Sequence, residues 1–103
     1  MAELPTIEER VALGVSRLDE DYPGWALLDR VDPDTLDLAN DAACTLGQVY
    51  GSFSEGIIGL DLEEGGWEYG FDLWEYSRPA VLREVAALTA EWQRVIRERR
   101  AEQ

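Results

Sequence analysis

Carboxylates are the titratable groups this sequence offers in number. They are densest at Asp19-Glu20-Asp21 and at Asp32, Asp34, Asp37 and Asp41. Paired carboxylates can serve as general acid and base, or hold Ca²⁺ or Mg²⁺ through oxygen ligands. Neither group follows the D-x-[DN]-x-[DN]-G pattern of a calcium loop, whose glycine makes the sharp turn. Pro33 interrupts the second group, and Asp34 and Asp37 suit capping. A solvated acidic face is therefore the expectation.

Histidine and lysine are absent. That removes Ser–His and Cys–His pairs, imidazole bases and lysine nucleophiles. Cys44 is the one cysteine, so no internal disulfide and no cysteine-rich zinc site can form. It sits between Ala43 and Thr45 in an apolar stretch and reads as a buried structural thiol. Gly47, Gly51, Gly56 and Gly59 make neither G-x-G-x-x-G nor a P-loop. The expectation is no catalytic residue, no cofactor site and no metal ligand.

Five of the ten aromatics fall within Trp67–Tyr76. Large aromatics fill small cores and also anchor interfaces. Trp74 and Tyr76 flank Glu75 beyond the alternating run and are the ones expected to be partly exposed. With Asp34 and Asp37 they make up the candidate partner-binding residues.

Residues 1–77 hold eighteen acidic residues and three arginines (Arg10, Arg17, Arg30), a balance of −15. Residues 78–103 hold six arginines and four glutamates, or +2, and the whole chain is −13. Such a field repels nucleic acid and anionic membrane and favours a protein partner with a basic patch. Arg94, Arg97, Arg99 and Arg100 are too few for a nucleic-acid footprint and are explained by the dipole of the helix that ends there.

These groups must be positioned by helices. At 103 residues and 46% hydrophobic, the chain is expected to be one domain with one core. Thr6 and Glu9 form a capping box, and Ile7, Val11, Val15, Leu18 and Tyr22 share one helical face until Pro23-Gly24. Gly14 would admit a close neighbour. Residues 25–39 read as a connector with short turns, its Trp25, Leu28, Val31, Leu36 and Leu38 forming a lid. Asn40 or Asp41 is expected to cap a helix through Ala43, Leu46, Val49, Tyr50 and Phe53, with Gly47 and Gly51 on one face. Residues 61–77 alternate like a strand but lack a partner run. A short helix over 61–69, stopped by Gly70 in the left-handed conformation, is preferred. Val81, Val85, Leu88, Trp92 and Val95, widened by Leu82, Thr89 and Ile96, predict a central helix over 79–98 with Trp92 buried. Any surplus width of that stripe would pair with a second copy as a homodimer. The predicted fold is all-α, a bundle of three to five helices with a long C-terminal one.

Several spacings resemble a family of small uncharacterised acidic proteins from actinobacteriophages and actinobacterial prophages. The matching residues are Gly14-Val15 to Leu18-Asp19 with Pro23-Gly24-Trp25, then Leu36-Asp37-Leu38 and Cys44-Thr45-Leu46-Gly47-Gln48-Val49-Tyr50-Gly51. Gly70-Phe71 and Leu88-Thr89-Ala90-Glu91-Trp92 with Ile96 complete the set. The resemblance implies a phage accessory origin and a compact domain acting inside a bacterial cell. It transfers no catalytic residue.

Three functions are compatible with these features. A non-enzymatic protein binder draws on the acidic field, the aromatics and the missing catalytic side chains. An acidic DNA-mimic decoy draws on the −15 segment alone. A carboxylate enzyme with a divalent metal needs a cleft of converging acids. No stretch is apolar enough to span a membrane, and no basic n-region precedes an apolar run, so a cytoplasmic location is expected.

Overall fold

In a computed structural model, residues 5–62, 65–73 and 80–102 are described. They form four α-helices, α1 (Ile7–Asp21), α2 (Thr45–Tyr50), α3 (Phe53–Gly59) and α4 (Ala80–Ala101). Two 3-10 turns, Trp25–Leu27 and Trp67–Tyr69, join them, and no strand occurs among the described residues. The chain is all-α with a long C-terminal helix, as its periodicity predicts.

The capping box starts α1. Thr6 Oγ1 accepts the Glu9 N–H at 3.1 Å, and Glu9 Oε1 accepts the Thr6 N–H at 2.8 Å. Val11, Gly14 and Leu18 are buried, while Ile7, Val15 and Tyr22 pack partly against the core. Gly14 does admit a close neighbour. A Cβ there would sit 2.1 Å from the Tyr69 carbonyl oxygen and 2.9 Å from the Trp92 ring.

In α4, Leu88, Trp92 and Ile96 are fully buried. Trp92 stacks on Phe71 at 5.3 Å and meets Trp25 edge-on at 5.8 Å. Its indole N–H donates to the Gly70 carbonyl at 2.7 Å, which satisfies the one polar atom this large ring carries into the core. Leu82, expected to widen the stripe, is 72% exposed. The fully buried positions of α4 begin at Leu88, and Leu82 stands ahead of them in the first turn.

The expected helix from Asn40 through Phe53 is two short ones. Asn40 caps only a single turn, its Oδ1 accepting the N–H groups of Ala42 and Ala43 at 2.9 and 3.0 Å. Cys44 is the true N-cap of α2, its Sγ accepting the Gly47 N–H at 3.3 Å. Gly51, at φ +109°, ends α2 instead of sharing a helix face with Gly47, and Ser52 caps α3 afresh. Residues 61–69 also differ from the expected helix. Asp61 turns the chain at φ +59°, Gly65 has φ +145°, and among the described residues of this range only Trp67–Tyr69 is helical, as a 3-10 turn. Gly70 at φ +73° is the left-handed stop that was expected.

Four of the arginines act as clamps on backbone carbonyls. Arg10 is 4% exposed, and its guanidinium pairs with Glu84 at 2.9 Å. It also donates to the carbonyls of Trp67 and Asp72 at 2.7 and 2.8 Å, so one side chain ties α1, the 67–72 segment and α4 together. Arg17 donates to the Leu60 carbonyl and lies over the Tyr69 ring, and Arg30 donates to the Val49 carbonyl and the Tyr22 hydroxyl. The planar fork of five donors suits carbonyl capture in a way a lysine ammonium does not.

Candidate functional site

Residues 28–44, between the first 3-10 turn and α2, have no regular secondary structure. Stretches of this length without helix or strand are uncommon inside compact chains and usually carry function. Local turn chemistry shapes the stretch. Asp32 Oδ1 accepts the Asp34 N–H at 2.9 Å, and Asp37 Oδ1 accepts the Ala39 N–H at 2.9 Å. Aspartate and asparagine bend the backbone this way because a short side-chain oxygen reaches an N–H two residues on.

Side chains from α2 and α4 hold the loop from behind. Gln48, 7% exposed, accepts the Asp32 N–H at 2.8 Å and donates to the Asp32 carbonyl at 3.0 Å. Thr89 Oγ1 accepts the Leu38 N–H at 3.2 Å, and Gln93 donates to the Pro33 carbonyl at 2.8 Å. Arg100 donates to the carbonyls of Ala26, Leu28 and Val31. Trp25, Val31 and Leu36 are buried beneath, with Leu28 and Leu38 half-buried, so the loop is the lid that its apolar anchors predict. The C-terminal arginines thus do more than complement a helix dipole.

The carboxylates face outward. Asp29, Asp34, Asp37 and Asp41 are exposed and Asp32 is half-buried. Asp34 pairs with Arg97 at 2.8 Å, but both side chains are more than half exposed, so the pair adds little stability. The other acidic group behaves differently. Asp19 binds Arg99 through two bonds of 3.0 and 2.9 Å and accepts the Trp25 indole N–H at 3.1 Å. The Arg99 bond holds the Asp19 carboxyl below the usual carboxylate range. Burial pushes the Cys44 thiol up, so it serves α2 as a neutral cap.

Two of the four candidate partner-binding residues, Asp34 and Asp37, therefore lie on one exposed, pinned loop. Trp74 and Tyr76 lie outside the described residues. Sequence reasoning missed Gln48, Thr89, Gln93 and Arg100 as the loop's supports. One signal was present: Thr89 is a polar residue inside the apolar stripe of α4.

Two cavities lined by described residues border the loop. One of about 200 Å³ is lined by Leu38, Asp41, Cys44, Phe53 and Phe71 among others. A second of about 470 Å³ is lined by Arg30, Thr35, Asn40, Gly47 and Gln48 among others. No three carboxylate or thiol groups among the described residues are grouped to hold a metal ion, and no described helix is long and apolar enough to cross a membrane. In comparisons with known proteins, no family model, no curated protein and no solved structure matches this chain.

Proposed function

We propose that this chain is a non-enzymatic, phage-type accessory protein that works inside a bacterial cell. Its acidic 29–41 loop engages a protein partner through that partner's basic patch. The observation that carries the reading is the loop itself. Its backbone is tied down by Gln48, Thr89, Gln93 and Arg100 while its aspartates stay at the surface. A fixed array of carboxylates loses little conformational entropy on binding, which is how preorganisation improves affinity. The uncompensated charge speeds encounter with a cationic surface, and salt screens that steering beyond about 8 Å at physiological strength.

The test is capture from a bacterial lysate at low and high salt, with the wild type and an Asp34→Arg/Asp37→Arg variant. The expected outcome is a protein retained at low salt by the wild type and lost by the variant. Its purified form should associate more slowly with the variant, with a smaller change in dissociation rate. Binding to duplex DNA or RNA is expected to be undetectable at physiological salt. Tight binding of the chain to duplex DNA would overturn the reading. A captured protein that duplex DNA displaces would favour the decoy reading.

A further inference from the structure

We propose that the 200 Å³ cavity at the Leu38–Asp41 end of the loop receives one apolar side chain of the partner's basic segment, flanked by cations that meet Asp37 and Asp41. The inference rests on the acidic-loop reading above and narrows it to a class of peptide: an apolar residue between arginines or lysines.

The size of the cavity selects the occupant. Pockets for small molecules and cofactors run from roughly 300 to 1,000 Å³. A cavity of roughly 150 Å³ already holds a benzene-sized group. The space here therefore suits one leucine or phenyl side chain. The lining selects its chemistry. Leu38 and Phe53 are half-buried and Phe71 is buried, so one side of the cavity is apolar, while Asn40, Asp41 and Asp72 bring polar atoms to the other. Cys44 is buried beside them, and its sulfur already bonds the Gly47 N–H, which leaves a soft apolar surface. The rim selects the flanks. Asp41 lines the mouth and is exposed, and Asp37, exposed as well, lies one turn back along the same loop. The cavity is also shaped by fixed backbone. The Phe53 N–H donates to the Asp41 carbonyl at 3.0 Å, the Asp37 N–H to the Ala43 carbonyl at 3.1 Å, and Thr89 holds Leu38. Interfaces draw most of their affinity from such a central apolar anchor inside a polar rim.

Three synthetic peptides test this by fluorescence anisotropy at low salt. The first has two arginines on each side of a leucine, the second has alanine at the centre, and the third keeps the leucine but has serines for arginines. The expected result is that the arginine–leucine peptide binds about tenfold more tightly than the arginine–alanine peptide, with the serine peptide weaker than either. Ala39→Trp, at an exposed position on the cavity rim, should abolish the leucine preference and leave the alanine peptide's Kd unchanged. Asp37→Asn with Asp41→Asn retains a side-chain oxygen for the loop turns and should weaken both arginine peptides. Unchanged melting temperatures would show that both variants fold. Equal Kd for the leucine and alanine peptides would overturn the cavity inference while leaving the acidic-loop reading in place. A serine peptide that binds as tightly as the arginine–leucine peptide would overturn both.

Discussion

Arg100 shows how this chain uses its positive charge. A single guanidinium holds the carbonyls of Ala26, Leu28 and Val31, and no other side-chain type has enough donors in one plane to do so. Arg100→Lys keeps the charge but loses the fork, and is expected to cost about 1–3 kcal/mol as buried carbonyls go unpaired, read as a shift of the urea midpoint. Gly14 makes the opposite point about size. In an isolated helix Gly14→Ala would help by about 1 kcal/mol. Here the added methyl meets the Tyr69 carbonyl and Trp92, so net destabilisation of about 1–3 kcal/mol is expected. Asp19 gives a pH dependence. Its carboxyl titrates below the ordinary value, chiefly through Arg99, so the charged form is favoured in the folded state. Its contribution is complete above the unfolded value of about 3.9 and is lost as pH falls through the lower folded one. Asp19→Asn should therefore lower stability at neutral pH and flatten the acid limb of a stability-against-pH curve below about pH 4.

Between elements, the polar pins decide whether 28–44 is a platform or a tether. Gln48→Met preserves volume but leaves both backbone groups of Asp32 without their amide partner. The expected cost is about 1–3 kcal/mol. Faster hydrogen exchange should appear at Asp32 and Leu36 before it appears in α4. The same pins explain what could be read in advance. The start of α1 and the course of α4 were legible because a capping box and a 4-3-4-3 stripe are signals internal to one segment. The lid was legible from its apolar residues. The break of the 40–53 helix was not, because it depends on a sulfur serving as a cap and on Gly51 taking a positive φ. Apart from the polar Thr89 in the apolar stripe, the loop's supports left no signal, and their partners were illegible, since Gln93 reaches Pro33, and Thr89 reaches Leu38, across long stretches of sequence. The buried Arg10 breaks the usual rule that charge marks the surface, and its partners on the 67–72 segment and on α4 account for it.

At the scale of the whole molecule, charge is sorted by sign. Arg10, Arg17, Arg30 and Arg100 bind backbone carbonyls, Arg10 buried and Arg30 still exposed, while most described carboxylates stand in water. Self-repulsion of a −13 chain opposes compaction. Added salt screens that repulsion more than it weakens the few exposed ion pairs. Melting temperature is accordingly expected to rise between low salt and molar sodium chloride, and a fall would show that the surface pairs matter more than the net charge. The carbonyl-bound arginines have one more consequence, in how the chain meets a protease. Trypsin cuts after lysine or arginine, and this chain has no lysine. Four of its possible cleavage points have their side chains committed to backbone carbonyls. An extended substrate strand cannot be drawn from those sites until the clamps release. Cleavage at Arg10, Arg17, Arg30 and Arg100 should thus track the fraction of molecules that have opened, which makes trypsin a reporter of this protein's stability.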